Sequence, residues 1–392
     1  MINNILYVSS VCSSNFIENL RTTSNANPGL AVQNFNRQMA SGLVKNNCHV
    51  TLLSNPPITR SNSDKLFVNF SPSLENELRY NYIPFINVKY IKHLCVFIYS
   101  FFYTILWSLK YKNTNRTVIC DVLSKSAAMG SLLASKISGN KSVGIVTDLP
   151  WMVVPEGLDI RNKPKCSFVY FFTHYIFLTE QMNSEINQRN RPYVVIEGLC
   201  KERDELPLID ESILKKDKCI LYAGTLMEKY GIKKLVESFL KVEIPDFKLV
   251  IYGDGSFAQQ LRSICENTNK IEYRGLASTD TVFQEEQKAI LLVNPRPSQD
   301  IYTEFSFPSK TMEYMASGTP LLTTKLPGIP SEYNDFLYYF DDESTDGFTN
   351  TINRILQYNL HELRKKGMQA QDFVFKNKNS RVQTAKIIKM LD

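Results

Sequence analysis

Short apolar runs of strand type alternate with longer amphipathic stretches along almost the whole chain. In the first half, the apolar runs predict strands at 5–11, 49–54, 117–123, 142–148, 170–179 and 193–199. The stretches between them predict helices at 30–46, 90–111, 126–138 and 180–189. Strands that alternate with helices form βαβ units, whose strands are parallel and are covered by helices on both faces. The predicted fold class is therefore α/β.

The second half repeats this pattern. Strands are predicted at 219–224, 247–253, 270–275, 289–294 and 319–324, and helices at 230–242, 256–268, 278–287, 308–317 and 344–358. The highly charged segment 200–218 has no strand of its own and predicts a linker. We therefore expect two Rossmann-like, doubly wound domains, 1–199 and 219–359. The basic, helical segment 360–392 is expected to cross back onto the first domain, and 13–29 is predicted to be a polar loop.

The composition excludes several classes of protein. Hydrophobic residues make up 43% and charged residues 21% of the 392 residues, a balance that argues against a disordered or fibrous chain. The net charge of +6 is modest, and no nucleic-acid partner is expected. The first 200 residues carry 19 basic and 11 acidic side chains, and the rest carry 26 and 28. A basic first half fits an anionic membrane or substrate, and ordinary variation between domains explains it as well.

The cysteines and histidines argue against a metal site. The eight cysteines form no C-x-x-C pair, and the four histidines lack the spacing of metal ligands. We expect small buried thiols in a reducing compartment and no metal. The first residues, MINNILYVSSV, lack the charged start and long apolar core of a signal peptide. A cytoplasmic protein is therefore expected.

The segment 94–109, LCVFIYSFFYTILWSL, has no charged residue and is flanked by lysines. Sixteen helical residues reach ~24 Å, less than the ~30 Å of a bilayer core, which argues against a membrane span. Two interpretations remain open. The segment is a buried domain helix, or 94–112 makes peripheral contact with an anionic membrane at the inner face of the cell membrane.

The stretch 293–324, VNPRPSQDIYTEFSFPSKTMEYMASGTPLLTT, is the richest in possible chemistry. It predicts a strand, a loop and then a helix that begins near Pro308 and ends at Gly318. Helix N-termini favour phosphate because their N–H groups point outward unpaired. By contrast, the turn after the first strand lacks the glycines of a nicotinamide-binding motif, which argues against a dehydrogenase.

The first turn of that predicted helix contains a serine, a lysine and a threonine. Ser309, Lys310 and Thr311 together predict a diphosphate cradle, and Glu313 could accept bonds from two ribose hydroxyls. An ordinary surface helix with a solvated glutamate explains the same residues equally well.

FPSKTMEYMASGTPLL resembles the donor-binding signature of glycosyltransferase family 4, the retaining GT-B enzymes that use nucleotide-sugars. The members it is most similar to belong to bacterial capsule, exopolysaccharide and O-antigen gene clusters. The segments 221–239, 249–261 and 273–275 match further family features in order and spacing. The resemblance is strong across 219–335 and mostly architectural over 1–200. It implies two Rossmann-like domains facing a cleft.

The resemblance also assigns roles to single residues. Glu313 matches the second glutamate of the family's E-x7-E motif, which holds the ribose. The first glutamate falls at Phe305, and Glu304 is out of register by one. Either a loop shift restores Glu304 or backbone amides around Ser306 replace it. Thr225 takes the place of the family's diphosphate arginine.

Lys229, assisted by Lys310, is expected to bear the phosphate charge, with Arg274 and Arg296 as weaker substitutes. The predicted donor-binding residues are Gly224, Thr225, Lys229, Gly253, Arg274, Arg296, Phe305, Ser306, Ser309, Lys310, Thr311 and Glu313. The predicted catalytic residues are Asp148, Lys229 and Glu304.

Asp148 follows a predicted strand in TDLP. It could orient or deprotonate an acceptor hydroxyl, and capping of the turn before Pro150 explains it equally well.

The resemblance implies a hexosyl- or glycosyltransferase that moves a sugar, with retention, from a UDP- or GDP-sugar to a saccharide. The expected acceptor is linked to a lipid diphosphate, in bacterial surface polysaccharide biosynthesis. The nucleotide-sugar is a substrate, so no cofactor is expected. A non-catalytic partner subunit remains an alternative because Thr225 and Phe305 depart from the family pattern. A sugar-nucleotide epimerase is a further alternative, against which the scarcity of histidine argues.

Overall fold

The chain divides into two compact units, Met1–Leu199 with Ser380–Asp392, and Cys200–Asn379. Both contain a mainly parallel sheet with helical connections, which confirms the predicted α/β class. The computed structural model describes residues 3–23, 29–152, 167–206 and 217–392. Most of the predicted linker, 207–216, lies outside the described residues.

The sheet of the first unit has eight strands in the order β10-β9-β8-β7-β1-β2-β5-β4. All neighbours are parallel except β4 and β5, and β3 pairs separately with β6. The chain proceeds outward from β1 on one side and from β7 on the other, so the topological switch point lies between β1 and β7. The strands of this unit are β1 Asn3–Ser9, β2 His49–Ser54, β3 Phe67–Val68, β4 Ser73–Glu75, β5 Leu78–Tyr82, β6 Phe85–Ile86, β7 Asn115–Asp121, β8 Lys141–Val146, β9 His174–Phe177 and β10 Tyr193–Val195.

Two of the predicted elements in this unit differ from the structure. The predicted polar loop 13–29 contains a ten-residue helix, because Ile17 and Leu20 lie three residues apart and are both buried. The predicted strand 170–179 is reduced to β9, since a 3₁₀ turn occupies Phe168–Phe171. The helices among residues 3–199 are α1 Ser14–Thr23, α2 Leu30–Lys45, α3 Lys89–Lys110, α4 Lys125–Ser138 and α5 Glu180–Ile186.

Helices α3 and α4 approach each other closely. A Cβ atom on Gly130 of α4 would lie 2.3 Å from the carbonyl oxygen of Phe97, so only glycine allows this crossing. Thr104 donates a hydrogen bond from its hydroxyl to the Ser131 hydroxyl at 3.1 Å. One face of α3 is therefore committed to α4 through small and polar side chains.

The sheet of the second unit has six parallel strands in the order β13-β12-β11-β14-β15-β16, with its switch point between β11 and β14. Alternate residues of β11 lie in two separate apolar clusters, Ile220 in one and Leu221 in the other, so the strand is covered on both faces. The strands are β11 Asp217–Ala223, β12 Lys248–Tyr252, β13 Ile271–Gly275, β14 Ala289–Asn294, β15 Leu321–Thr323 and β16 Tyr338–Tyr339. The helices are α6 Ile232–Leu240, α7 Ala258–Glu266, α8 Thr279–Lys288, α9 Ser309–Ala316, α10 Thr345–Leu356 and α11 Leu360–Asn377.

The C-terminal segment 360–392 forms two helices with different partners. α11 stays in the second unit, where a Cβ on Gly367 would lie 2.2 Å from the carbonyl oxygen of Gly318. Only the last helix, α12 Ser380–Leu391, belongs to the first unit, where Ile387 is fully buried in the core. The return to the first unit thus begins at Ser380 rather than at residue 360.

We expect Gly42→Ala to loosen the contact between α12 and α2. A Cβ on Gly42 would lie 2.3 Å from the Ser380 carbonyl oxygen and 2.7 Å from the Thr384 hydroxyl. Overpacking of this kind costs about 1–3 kcal/mol, which should lower the melting temperature by several degrees. Ser41→Ala on the same helix is the matched control. A Gly42→Ala protein that melts with the wild type would contradict this packing.

Candidate functional site

The carboxyl edge of the second sheet contains most of the predicted donor-binding residues. In open α/β sheets, ligands bind outside the carboxyl ends of the strands at the switch point. The chain leaves β11 at Gly224 and β14 at Pro295, and these two strands flank that point.

The loop after β11 packs tightly on the loop after β12. Gly253 has a φ of 133°, and a Cβ there would lie 1.8 Å from the Gly224 carbonyl oxygen. The Leu226 amide donates to the Asp254 carbonyl oxygen at 2.9 Å. The predicted residues Gly224 and Gly253 therefore act together, as the point of closest approach between the two loops.

Thr225 follows directly and is exposed. Its carbonyl oxygen accepts a hydrogen bond from the Tyr222 hydroxyl at 2.9 Å. Lys229 is also exposed, and lies on a 3₁₀ turn that ends at Gly231. A Cβ on Gly231 would lie 2.0 Å from the Pro295 carbonyl oxygen, so the Lys229 turn packs against the residue after β14.

Arg296 lies between two aromatic rings at this edge. Its guanidinium is 4.9 Å from the centroid of Tyr230 and 5.8 Å from that of Tyr302. Burial raises the pKa of the Tyr222 phenol, and the Arg296 charge opposes this rise. The cation of Arg296 therefore acts at the loop that carries Thr225, where the resembled family has an arginine.

Helix α9 carries the predicted phosphate and ribose contacts. Pro308 is the N-cap rather than the first helical residue, and Ser309 is exposed. The hydroxyl of Thr311 is buried without a hydrogen-bond partner among the described residues. The Lys310 ammonium lies 2.5 Å from the Glu313 carboxylate, so the two predicted ligand contacts pair with each other here.

Tyr314 attaches α9 to the end of β11. Its fully buried hydroxyl accepts a hydrogen bond from the Ala223 amide at 2.8 Å and donates to the Ala223 carbonyl oxygen at 3.1 Å. These two hydrogen bonds resemble a strand pairing and hold α9 against the end of β11, beside the switch point.

Glu304 and Phe305 are consecutive residues of one short turn. Both lie on the 3₁₀ turn Ile301–Phe305, with the Glu304 side chain exposed and that of Phe305 half-buried. The next residue, Ser306, has a buried hydroxyl that finds no hydrogen-bond partner in the described part of the chain. A Cβ on Gly328 would lie 2.2 Å from the Ser306 carbonyl oxygen, so the two segments are closely packed.

Arg274 is held by acidic neighbours. Its guanidinium lies 2.5 Å from the Glu285 carboxylate and 2.8 Å from that of Glu272, and it donates to the Tyr252 hydroxyl at 3.0 Å. Its positive charge is already neutralised, and the geometry gives it a role in joining β13 to α8.

A second group of carboxylates lies on the first unit. Asp148 follows β8 and is exposed, whereas Asp121 ends β7 at the switch point and is fully buried. Asp121 accepts bonds from the Leu123 amide at 3.0 Å and the Asn36 side chain at 3.2 Å. The pKa of Asp121 is raised to about 6, mainly by burial and to a smaller extent by the charge of Asp148, while its two hydrogen bonds oppose the rise.

Sequence reasoning missed Asp121 and also Glu286 on α8. The signal for Asp121 was a carboxylate as the last residue of an apolar run. Glu286 is only 1% exposed, and its carboxylate lies 3.7 Å from the Lys310 ammonium. The periodicity of the predicted helix 278–287 did not distinguish this buried acid from the exposed ones beside it.

Within the described residues, no group of three or more histidine, cysteine or acidic side chains could hold a metal ion. The seven described cysteines are free thiols, and Cys166 lies outside the described residues.

Comparison with known proteins bears directly on the second unit. Residues 208–372 match the model of the family described as glycosyl transferases group 1. The matched residues all lie in the second unit, Cys200–Asn379. This match confirms the expected enzyme class, a glycosyltransferase. A search of the curated protein sequences found none similar to this chain.

Several solved structures resemble the whole chain. Sucrose-phosphate synthase from Thermosynechococcus elongatus is 14% identical with a TM-score of 0.67, over 99% of this chain and 98% of its own. Anabaena HepE in complex with UDP and glucose is 12% identical with a TM-score of 0.60, over 99% of both chains. The lipopolysaccharide outer core galactosyltransferase WaaB is 14% identical with a TM-score of 0.60, over 99% of both chains. At these identities the likeness shows the fold, which is the GT-B fold predicted from the sequence.

We expect Tyr314→Phe to destabilise the second unit. The change leaves a buried amide and a buried carbonyl of Ala223 without partners, at a cost of about 1–3 kcal/mol. Tyr339→Phe is the matched control, because its hydroxyl bonds to Asn334 at the surface. Thermal melting at pH 7 measures both, and equal melting temperatures would contradict the attachment of α9 through Tyr314.

Proposed function

We propose that the chain is a retaining glycosyltransferase of family 4 that transfers a sugar from a UDP- or GDP-sugar to a saccharide acceptor. One observation carries the proposal. Within the matched segment 208–372, helix α9 carries Lys310 and Glu313 and is bonded through Tyr314 to the end of β11, which flanks the switch point of the second sheet.

The chemistry of the donor site follows from these groups. As the sugar leaves, negative charge builds up on the departing diphosphate. The amides at the start of α9 and the ammonium groups of Lys310 and Lys229 stabilise that charge. Arg296 adds a third cation at the loop that carries Thr225 and so replaces the missing arginine.

On the acceptor side, we assign Asp148 to orient or deprotonate the attacking hydroxyl. It follows β8 at the carboxyl edge of the first sheet, and its charge contributes to the raised pKa of the buried Asp121 carboxyl. Glu304 is exposed and is assigned to the donor sugar. The retaining outcome and these roles are inferred from the family resemblance.

We also propose a lipid-diphosphate-linked acceptor at the inner face of a bacterial membrane, for surface polysaccharide biosynthesis. Support comes from α3, which by length and composition alone could cross a membrane. Its outward side is an apolar stripe at helical spacing. The stripe consists of Ile91, Leu94, Ile98, Phe102, Leu106 and Leu109, all exposed.

The charge around the stripe favours an anionic lipid surface. Residues 78–147 contain nine lysines and arginines and a single acidic residue, Asp121. Because Asp121 is fully buried, the surface of this region is uniformly basic. Lys89 and Lys110 lie exposed at the two ends of the helix. A helix with this pattern binds in the plane of the interface, with its apolar side among the acyl chains.

Donor binding can be tested by thermal shift with UDP-, GDP- and dTDP-sugars. A ligand at one hundred times its Kd stabilises the folded protein by about 2.7 kcal/mol, so the preferred donor should be distinct. Glu313→Ala should weaken that donor at least tenfold by calorimetry, because bonds from hydroxyls to a carboxylate contribute about 1.5–3 kcal/mol.

Glu237→Ala, an exposed glutamate on α6, is the matched control and should bind the donor as the wild type does. If no nucleotide-sugar raises the melting temperature, or if Glu313→Ala binds unchanged, the proposed donor site is wrong.

Membrane binding can be tested by co-sedimentation with vesicles of phosphatidylglycerol and phosphatidylcholine. The wild type should sediment with the anionic vesicles, and Phe102→Ser with Leu106→Ser should stay in the supernatant. Phe67→Ser with Leu74→Ser makes the same chemical change at two exposed positions outside α3 and should still sediment. If the wild type does not sediment with anionic vesicles, the proposed membrane contact is wrong, and the proposed donor site is unaffected.

A further inference from the structure

Glu286 is a buried acid with no role in the proposed glycosyl transfer. It lies on α8 with 1% of its surface exposed, and neither carboxylate oxygen has a hydrogen-bond partner among the described residues. Burying a carboxylate in this way is costly, so such a group usually has a specific partner. The nearest cation is the Lys310 ammonium, at 3.7 Å.

Lys310 lies between two carboxylates. Its ammonium is 2.5 Å from Glu313, the assigned ribose ligand, and 3.7 Å from Glu286. Lys310 and Glu313, both on α9, are the charged groups that act on Glu286, and the buried Tyr314 phenol faces it from the same helix. On α8 itself, the neighbouring Glu285 is directed to other cations, Arg274 and Lys288.

We propose that Glu286 is a positioning residue for Lys310. When the ribose hydroxyls bind the Glu313 carboxylate, the Lys310 ammonium leaves Glu313 and pairs with the buried carboxylate of Glu286. This inference rests on the proposed function, because it assumes that a nucleotide-sugar occupies the α9 site. The exchange frees Glu313 for the ribose and keeps the Lys310 cation beside the diphosphate.

The exchange should release a proton from Glu286. Burial raises the pKa of Glu286 to about 8, so the group is protonated at pH 7 in the ligand-free protein. A closer ammonium lowers that pKa, and the proton passes to the buffer as the ion pair forms. Donor binding at pH 7 should therefore release close to one proton, and affinity should rise with pH up to about 8.

The experiment is calorimetry at pH 7 in two buffers of different ionisation enthalpy, which measures the protons released on binding. The probe is UDP-glucose or GDP-mannose, whichever raises the melting temperature. Neither diphosphate diester titrates near pH 7. The wild type should release close to one proton, and Glu286→Gln should release almost none and lose the pH dependence of its Kd.

Glu285→Gln is the matched control, since it makes the same change one residue earlier on the same helix and should keep the proton release. Equal proton release from wild type and Glu286→Gln would overturn the exchange. If neither nucleotide-sugar binds the wild type, the proposed function fails first, and the inference fails with it.

A ligand-free measurement checks the fold of the variant and the ionisation of Glu286 together. The folded protein holds a proton on Glu286 up to about pH 8, whereas the unfolded chain loses it near pH 4.5. The stability of the wild type relative to Glu286→Gln should therefore decrease as pH rises from 5 to 8. A constant difference in melting temperature across this range would show that Glu286 does not ionise as proposed.

Discussion

The proposed donor site depends on the attachment of one short helix to one strand. Tyr314 donates to and accepts from the backbone of Ala223, which terminates β11 at the switch point of the second sheet. Eight residues of helix contribute little stability on their own, so the position of α9 comes from this contact and from its buried face. Everything assigned to Lys310 and Glu313 requires that the first turn of α9 be held at that edge.

Backbone contacts define the rest of the edge. The loops after β11 and β12 meet where Gly253 allows a carbonyl oxygen to approach, and Gly231 does the same for the residue after β14. These approaches bring Thr225 and Arg296 to adjacent loops although they are distant in sequence. Arg296 follows the fourth strand of this sheet, and the rings of Tyr230 and Tyr302 lie beside its guanidinium.

The sequence predicted the α/β class, the alternation in both halves and the segment that carries α9, because each leaves a local pattern. Strand periodicity marks β11 and β14, and the proline and glycine near the ends of α9 mark its bounds. The sequence pattern did not predict α1, because the polar residues around Ile17 and Leu20 hide its apolar spacing. It also did not predict that α11 and α12 belong to different units. The burial of Glu286 and Asp121 depends on packing against elements that are distant in sequence, so a short stretch of sequence around each residue does not reveal it.

Helix α3 combines a side that packs on the protein with the exposed apolar stripe for which we propose membrane contact. Its 22 residues are long and apolar enough to cross a membrane by composition, yet small polar side chains, Ser100, Thr104 and Ser108, are buried on its inner side. Thr104 bonds to α4, and Ser108 accepts from Asn140 at 2.6 Å, so this side is committed to the protein. A helix held along one side cannot leave the domain without breaking those contacts, whereas its exposed apolar stripe can enter a bilayer surface with the fold intact.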